Sequence, residues 1–476
     1  MHMPIQGRSR EEIFGLLEGA AERDLDWRAG GTFAYTYHGG DDVEAVAKHA
    51  YMRFLTENAL DPTVYPSLLK FENDIIAMAR AHLGGDENVV GNFTSGGTES
   101  CMLAVKTARD YARATRPQIT APEVILPHTA HAAFHKACHY FGVNPVAVGV
   151  HPKTLAAEPA AIEAAITPNT IQIVAGAVSY AHGIMDPIPE IGVIAQKHKL
   201  LFHVDGCIGA FLLPYWQKLG RKFPPFDFSV PGVTSISMDF HKYGYCPKGA
   251  SVLLYRSKDI RRHQIFACSQ WTGYSIVNTT IQSSKSGGPV AACWAVIQYL
   301  GEDGYMRLAK RTLEATDIIL SGLRTMQGIE ILGEPALSLV AFRPRNGSPF
   351  VLLDEMRERG WYIQPQLSFG ASPANVHITI RHDNLEGAPK FLNDLKSALT
   401  ATEARGTVLP EEAIAQARAL NPKDLTPELF GAMMRRSAGK GTAARNELIN
   451  AMEPGVREFA LREFLNELYT PTVGDR

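Results

Sequence analysis

The chain has 476 residues, and its 47 basic and 49 acidic side chains give a formal net charge of 47 − 49 = −2. With 45% hydrophobic and 20% charged residues, it has the composition of a globular protein, which excludes disorder over most of its length. The near-neutral charge argues against nucleic-acid binding, and no apolar run approaches the roughly 18 residues that a membrane span needs.

The middle of the chain alternates short apolar runs with helical patterns. Apolar Cys101, Val105, Ala108 and Ala112 follow the first run at helical spacing, and similar patterns follow the later runs. The alternation predicts an α/β fold with right-handed crossovers and a mostly parallel seven-stranded sheet, covered on both faces. The strands are predicted at 89–93, 124–126, 146–148, 171–178, 200–204, 233–238 and 252–255.

The segments on either side of this core have different patterns. Residues 1–88 are predicted to form two helices, one after the glycine-rich loop at 39–42 and one from Ser67. After residue 300 the pattern predicts a smaller α+β domain. The predicted organisation is therefore a helical segment at 1–88, a large domain at 89–300, a small domain at 301–404 and a helical tail at 405–476.

Polar residues follow three of the predicted strands, where ligands bind in open α/β sheets. Gly96, Gly97 and Thr98 form a turn that lets an anion approach the backbone, although a plain tight turn explains it equally well. Asp205 either pairs with a donor or caps the next helix. Lys242 is either a surface lysine or a buried, nucleophilic amine.

The combination of these residues is more specific than any one of them. Pyridoxal 5′-phosphate (PLP) needs a lysine for its aldehyde, a carboxylate for its ring nitrogen and a cradle for its phosphate. Lys242, Asp205 and the turn at 96–98 supply these groups at three strand ends, and His131 begins the helix after the second strand with a planar ring. The sequence therefore predicts a PLP enzyme.

Two other classes of protein remain alternatives at this point. His131, His135 and His139 are spaced by four and share a helix face with a metal-ligand pattern, and His128 lies nearby. No carboxylate or thiolate stands at metal spacing in that helix, so we expect no metal site. A non-catalytic subunit of the same fold is the other alternative, although all the cofactor residues are retained.

The six cysteines are scattered and include no Cys-x-x-Cys pair. So few thiols in a chain of this length are typical of a reducing compartment and not of a disulfide framework. We therefore expect a cytoplasmic protein, and secretion by a route that leaves no sequence signal stays open.

The segment Ser237-Met238-Asp239-Phe240-His241-Lys242-Tyr243-Gly244 resembles the sphingosine-1-phosphate lyase family. That family belongs to the fold-type I PLP enzymes (the PLP-dependent transferase-like fold) of the group II decarboxylase branch. The resemblance covers roughly residues 30–400 and extends through 94–100, 130–134, 181–187 and 203–207. The chain lacks the N-terminal span of the membrane-anchored members, so it resembles a soluble, bacterial type.

The resemblance implies roles for individual residues at the cofactor. Lys242 would carry the cofactor aldehyde, Asp205 would hold the proton of the ring nitrogen, and His131 would stack on the ring. The remaining cofactor-binding residues that it implies are Gly96, Gly97, Thr98, His203 and His241.

The resemblance also implies residues that bind the substrate. Tyr37 and Lys248 match positions that hold the substrate phosphate, and Asn58 matches another active-site position. Family members are homodimers with active sites at the subunit boundary, so the segment at 1–88 is expected to contribute to the partner's site. Asp61 stands where the family has a histidine, and we expect it to point away or His38 to supply the missing donor.

The reaction that the resemblance implies is a retro-aldol cleavage of a phosphorylated long-chain 2-amino-3-hydroxy base to a fatty aldehyde and phosphoethanolamine. The alternative is α-decarboxylation of an L-amino acid, which uses the same lysine, aspartate and histidine. The base that takes the C3 hydroxyl proton stays open between Lys242, the cofactor phosphate and a nearby histidine.

Overall fold

The computed structural model describes residues 3–421 and 441–471. Residues 3–88 hold three helices, so the prediction of two was wrong: α1 (Arg10–Ala21), α2 (Asp41–Arg53) and α3 (Pro66–His82). The missed helix, α1, begins at a capping box in which the side chains of Ser9 and Glu12 each accept a hydrogen bond from the other's backbone N–H. None of the residues of α1 is buried.

The large domain is built on the predicted seven-stranded sheet. The strand order is β1-β7-β6-β5-β4-β2-β3, and β7 is antiparallel to its two neighbours while the other adjacent pairs are parallel. The prediction of a mostly parallel α/β sheet is therefore confirmed. The strands are β1 (Val90–Thr94), β2 (Glu123–Pro127), β3 (Asn144–Val148), β4 (Thr170–Gly176), β5 (Leu201–Asp205), β6 (Ser235–Asp239) and β7 (Ser251–Tyr255).

Helices cover this sheet and bury its central strands. β4, β5 and β6 bury nearly every residue, which is why they stand in the sequence as unbroken apolar runs and not as alternating patterns. The covering helices are α4 (Gly97–Thr115), α5 (Ala132–Phe141), α6 (Pro159–Ala164), α7 (Ile188–Lys197), α8 (Gly209–Lys218) and the short α9 (Lys258–Arg261).

A hairpin that the sequence did not predict follows the sheet. Its two strands, β8 (Phe266–Cys268) and β9 (Ile276–Asn278), pair only with each other. Phe266, Trp271 and Tyr274 are all exposed on it. The hairpin therefore presents aromatic surface that nothing in the described chain covers.

A single long helix, α10 (Gly287–Thr325), leads from the large domain into the small one and bends at Gly301, whose φ is 54°. The small domain is a four-stranded antiparallel sheet of order β10-β11-β13-β12, with helices against it. Strand β12 was not predicted. The elements are β10 (Ile329–Ile331), β11 (Leu339–Pro344), α11 (Pro349–Glu358), β12 (Gln364–Gln366), β13 (Asn375–Thr379), a 3₁₀ turn (His382–Asn384) and α12 (Ala388–Arg405).

The end of the described chain is helical, in α13 (Glu411–Arg418), α14 (Gly441–Ala451) and α15 (Pro454–Leu468). These helices share a small apolar core of their own. Asp354 of α11 accepts a hydrogen bond of 2.9 Å from the backbone N–H of Ala443, which joins this core to the small domain. Across residues 3–421 and 441–471, no helix combines the length and the apolar character that crossing a membrane requires.

Candidate active site

The carboxyl ends of five mutually parallel strands lie at one edge of the large sheet, and a cavity of about 420 Å³ opens there. Its wall is formed by the segments that follow β1, β2, β4, β5 and β6. Parallel strands bring residues that are far apart in sequence to the same edge, so this is where ligands bind in such folds. The predicted Lys242, Asp205, His131 and the turn at 96–98 all line this cavity.

The glycine turn after β1 fits closely against the rest of the site. Gly96 has a φ of 148°, a conformation that favours glycine, and it directly precedes α4. A β-carbon at Gly97 would lie 2.7 Å from the Asp239 carboxylate and 2.9 Å from the Cys207 sulfur, so no larger residue fits. The first turn of α4 therefore presents its free N–H groups and its positive dipole end to the cavity.

Asp205 ends β5 and is half-buried. Its Oδ1 accepts hydrogen bonds from the backbone N–H of Cys207 at 3.1 Å and from the Ser237 hydroxyl at 3.4 Å. Its Oδ2 accepts none of the hydrogen bonds found within residues 3–421 and 441–471. One carboxylate oxygen is thus fixed by the protein and the other is available to a ligand in the cavity.

His203 lies beneath Asp205 on the same face of β5 and is not part of the cavity wall. Its Nδ1 contacts the Ser235 hydroxyl at 2.9 Å, and its Nε2 lies 3.3 Å from the Ser237 hydroxyl that also reaches Asp205. Burial lowers the pKa of His203 to about 4, so the ring is neutral. The expected cofactor contact of His203 is therefore corrected to indirect support of Asp205 through Ser237.

His131 is the N-cap residue of α5, and its ring stands on the cavity wall. Its Nδ1 accepts the backbone N–H of Ala133 at 3.1 Å, so the proton of the neutral ring is on Nε2. The ring meets the Tyr180 ring at an interplanar angle of 88° with centroids 6.2 Å apart. These contacts fix the plane of the imidazole from two sides.

Lys242 stands beside a buried carboxylate that the sequence analysis did not assign to the site. The Lys242 Nζ lies 2.9 Å from Oδ2 of Asp239, the last residue of β6, and the Asp239 side chain is 1% exposed. The His241 Nε2 lies 3.5 Å from the same oxygen. Asp239 follows a buried strand just as Asp205 does. Its position at a strand end is therefore the signal that could have identified it from the sequence.

Tyr180 is a second wall residue that the sequence did not indicate. Its hydroxyl donates a hydrogen bond of 2.6 Å to the Gln364 side chain in β12, and its ring packs on His377 of β13 at 4.8 Å. Burial raises the pKa of Tyr180, which keeps the phenol protonated at neutral pH. The small domain thereby holds one wall of the cavity in place.

Lys248 and Tyr37, two of the predicted substrate residues, lie together at the mouth of the cavity. The Lys248 Nζ stands 5.1 Å from the centroid of the Tyr37 ring. Packing around the lysine stem and the nearby Lys242 ammonium lower the pKa of Lys248 to about 8, although its side chain still reaches solvent. Lys248 lines the cavity itself, and both residues line a second, mainly apolar pocket of about 400 Å³ next to it.

The other predicted substrate residues are not brought to this cavity. The His38 Nε2 is engaged by the Glu44 carboxylate at 3.2 Å, at the start of α2. The Asn58 Oδ1 accepts the backbone N–H of Leu60 at 3.1 Å and lies outside the wall. The Asp61 carboxylate is exposed and accepts two hydrogen bonds from Thr63 in its own loop, which lower its pKa.

The histidines of α5 do not converge as metal ligands. Within the described ranges, two groups of three side chains have ligand atoms within 4.8 Å of one another, and neither includes these histidines. One of them, around His38, has its Glu44 carboxylate paired with the Arg28 guanidinium at 2.6 Å. The other group consists of Cys101, Asp205 and Cys207.

The residues on the cavity wall fit PLP. The free Asp205 Oδ2 suits a ring nitrogen that carries a proton, and the fixed plane of His131 suits a ring face. The turn at Gly96 and the start of α4 suit a phosphate group, because free N–H groups and a helix dipole favour an anion. Lys242 supplies the amine within the same 420 Å³ cavity.

Comparisons with known proteins agree with this fit. Residues 26–345 match the pyridoxal-dependent decarboxylase conserved domain. A sphingosine-1-phosphate lyase of Dictyostelium discoideum is 36% identical over 414 residues, which are 87% of this chain and 77% of the relative. The structure of a sphingosine-1-phosphate lyase of Burkholderia pseudomallei has a TM-score of 0.81 and 33% identity, covering 88% of this chain and 94% of that one. A glutamate decarboxylase of Lactobacillus brevis shares the fold, with a TM-score of 0.74 and 19% identity over 85% of this chain and 95% of its own.

Proposed function

We propose the function of this chain from its family, because the chain belongs to the sphingosine-1-phosphate lyase family of pyridoxal-dependent enzymes. It is a PLP-dependent carbon–carbon lyase. Its substrate is a phosphorylated long-chain 2-amino-3-hydroxy base of the sphingosine 1-phosphate type, and its products are a fatty aldehyde and phosphoethanolamine. The observation that carries this function is that Lys242, Asp205 and His131 face one cavity together with the glycine turn.

The roles of the residues follow from their chemistry. PLP, when bound, supplies an aldehyde that takes the substrate amine and a ring that accepts the electron pair left on Cα. Lys242 holds that aldehyde between turnovers. Asp205 keeps a proton on the ring nitrogen through its free Oδ2, and His131 holds the ring from one face.

Cleavage also requires a group that takes the proton of the C3 hydroxyl. Tyr180 does not serve, because its raised pKa keeps its own proton in place at neutral pH. Among the described side chains of the wall, the amines of Lys242 and Lys248 can accept a proton when they are neutral. His131 and His241 can accept one only once their Nδ1 atoms release the backbone N–H groups of Ala133 and Ala250. Any of these must lie within hydrogen-bond reach of the hydroxyl for the transfer to occur.

Product analysis tests the reaction and separates it from decarboxylation. Incubation with a phosphorylated sphingoid base is expected to give equal amounts of long-chain aldehyde and phosphoethanolamine. Release of carbon dioxide from an amino acid, without aldehyde formation, would contradict the proposal. The likeness to a glutamate decarboxylase at 19% identity concerns the fold, so it does not favour that alternative.

We propose that Lys248 and Tyr37 bind the substrate phosphate at the cavity mouth. Lys248 is a cation beside the cavity, and the Tyr37 ring packs against it. Burial raises the pKa of Tyr37 to about 12, so its hydroxyl remains a hydrogen-bond donor. His38 and Asn58, which lie outside this cavity, are proposed to reach the phosphate in the partner's site of a homodimer.

Replacing Lys248 by alanine is expected to raise KM for the phosphorylated base by about tenfold to a hundredfold, because a charge-assisted contact is lost. The kcat should change much less. Since the pKa of Lys248 is about 8, the wild-type KM should be low below that pH and rise as the ammonium deprotonates above it. Steady-state kinetics between pH 6.5 and 9.5 would check both effects.

The exposed Lys258 on α9 provides a matched control, and its alanine variant should behave as the wild type. A KM of the Lys248→Ala variant within twofold of the wild-type value, with the pH dependence retained, would rule out Lys248 as the phosphate ligand.

We propose that the protein is a homodimer with shared active sites. The aromatic surface of the β8–β9 hairpin and the unburied helix α1 are both surfaces that a second copy would cover. Neither Asn58 nor His38 lines the cavity of its own chain, and His38 lines the neighbouring pocket that Tyr37 and Lys248 share. In a homodimer, these residues would contact the active site of the partner subunit.

Hybrid dimers test this sharing directly. Lys242→Ala and Asn58→Ala chains with different tags would be co-expressed, and the dimers that carry both tags purified. If Asn58 serves the partner's site, one site of the hybrid has both substitutions and the other has none, so about half of the wild-type activity is expected. If Asn58 serves its own site, each site has one defect, and the hybrid would have about half of the activity of the Asn58→Ala parent.

We also propose a cytoplasmic location. All six cysteines are free thiols, and five of them are buried. Free thiols are typical of a reducing compartment.

A further inference from the structure

The charge of the buried Asp239 carboxylate is balanced mainly by Lys242, the lysine of the active site. Its side chain is 1% exposed, and its Oδ2 lies 2.9 Å from the Lys242 Nζ. Neither oxygen accepts a hydrogen bond of normal geometry from any residue within 3–421 and 441–471, so the ion pair is the contact that matters. A buried charge without a partner is strongly unfavourable, which ties the two residues together.

The position of Asp239 keeps this carboxylate fixed. Gly97 leaves the space that the carboxylate fills, because a β-carbon there would lie 2.7 Å from Oδ2 and 2.9 Å from Oδ1. The neighbouring start of α4 favours a negative charge. The carboxylate therefore remains in place whether or not Lys242 is attached to another group.

Other titratable groups surround the Asp239–Lys242 pair from several elements. They are His241 and Lys248 after β6, Asp205 and Cys207 after β5, Glu99 and Cys101 of α4, His131 after β2, Tyr180 after β4 and Tyr37 of the N-terminal segment. Asp239 is the carboxylate that forms an ion pair with Lys242 among the described residues.

We propose that Asp239 is a positioning residue that holds Lys242 as an ammonium ion whenever the substrate amine has displaced it from the cofactor. In that exchange the double bond between the cofactor carbon and the Lys242 nitrogen would be replaced by a double bond between that carbon and the substrate nitrogen. The Lys242 nitrogen carries one proton before the exchange and the substrate nitrogen carries one after it. The substrate enters as an ammonium ion, so two protons pass from its nitrogen to Lys242, and charge and protons balance. Asp239 then binds the ammonium that results.

This assignment removes Lys242 from the candidates for the base. An ammonium has no lone pair, so it cannot take the C3 hydroxyl proton while Asp239 holds it. Among the described nitrogen bases of the wall, Lys248 is then the amine that is left, and His131 and His241 can serve only once their Nδ1 atoms release the backbone N–H groups that they accept. The inference rests on the proposed attachment of the cofactor to Lys242.

The electrostatics of the pair agree with the geometry. Burial by itself lowers the pKa of Lys242, but the Asp239 carboxylate, with smaller contributions from Cys207 and Tyr37, raises it above its ordinary value. Burial by itself raises the pKa of Asp239, but the charges of Lys242 and His241 hold it well below its usual range. Without Asp239, burial would dominate and the lysine would become a neutral amine at lower pH.

The test compares Lys242 reactivity in the wild type and in Asp239→Asn. Cofactor-free full-length protein would be treated with a limiting acylating reagent across a pH series, and the Lys242 peptide quantified by mass spectrometry. Only the neutral amine reacts, so at pH 8 the variant is expected to react at least about tenfold faster. In the cofactor-loaded enzyme, the visible absorbance should change with pH at a midpoint at least about one unit lower in the variant.

Asp205→Asn is the matched control, since it removes the other carboxylate of the cavity, which forms no ion pair with Lys242 within the described residues. Its Lys242 reactivity profile should follow that of the wild type. If the pH midpoint of Lys242 acylation in the wild type lay below that of an ordinary lysine, this result alone would overturn the inference. Equal pH profiles of Lys242 acylation for the wild type and Asp239→Asn would overturn it as well. Absence of a cofactor adduct on Lys242 after borohydride reduction would instead overturn the proposed function.

Discussion

The Lys242→Ala variant is expected to lose at least about 10³-fold in kcat, because the amine that holds the cofactor aldehyde is gone. Borohydride reduction of the loaded wild type should leave a mass adduct on the Lys242 peptide, and the variant should have none. Aldehyde formation and peptide mass spectrometry measure the two effects. Lys258→Ala, at an exposed position, is the control. Full activity of Lys242→Ala would contradict the assignment.

The same variant has a second consequence, for stability. Removing Lys242 leaves the Asp239 carboxylate buried without its cation, which should cost on the order of 3–5 kcal/mol in the free energy of unfolding at neutral pH. In the folded protein, Lys242 holds the pKa of Asp239 below its ordinary value. The ion pair therefore stabilises the fold at pH values above the ordinary pKa of an aspartate, and this stabilisation is lost as the pH falls through the lowered pKa. The double variant Lys242→Ala, Asp239→Asn should recover most of the loss in denaturant unfolding experiments.

The Asp205→Asn variant is expected to keep most of its cofactor but to lose about 10³-fold in kcat. An amide does not hold a proton on the ring nitrogen, so the ring no longer accepts the electron pair left on Cα. The amide retains the contacts of the present Oδ1 with Cys207 and Ser237, so the local structure should survive. Cofactor content by absorbance and kcat per bound cofactor are the measurements.

Asp303→Asn, at an exposed position on α10, serves as the control for this variant. The assignment would be contradicted if Asp205→Asn lost most of its cofactor but kept a normal kcat per bound cofactor. Asp205 would then contribute to cofactor binding and not to the protonation of the ring nitrogen.

The parts of the site that the sequence predicted are those that strand ends determine. Lys242, Asp205, His131 and the turn at 96–98 each follow an apolar run, and a parallel sheet brings such positions to one edge. Asp239 also stands at the end of an apolar run, but only the neighbouring His241 and Lys242 were assigned to the site from the sequence. Tyr180 could not be found in this way, because Gln364, which holds its hydroxyl, is 184 residues away.

The missed elements have physical reasons of their own. Helix α1 carries a capping box at Ser9 and Glu12, a local signal that was present but not used. Strands β8, β9 and β12 have three residues each, too few for an alternating pattern to show. Their positions depend on pairing with other strands, which a local pattern does not contain. His203 was assigned to the cofactor through the family resemblance, but its ring contacts Ser235 and Ser237.

The hydrogen bond between Tyr180 and Gln364 means that the catalytic chamber is shared by two separately packed cores. The cofactor-binding residues all belong to the large sheet, whereas one wall is braced by a three-residue edge strand of the small domain. Transient opening of that strand would admit water to the chamber and would release Tyr180, whose ring also fixes the plane of His131. How firmly the small domain is docked therefore bears on the alignment of the proposed cofactor residues, although the small domain contributes none of them.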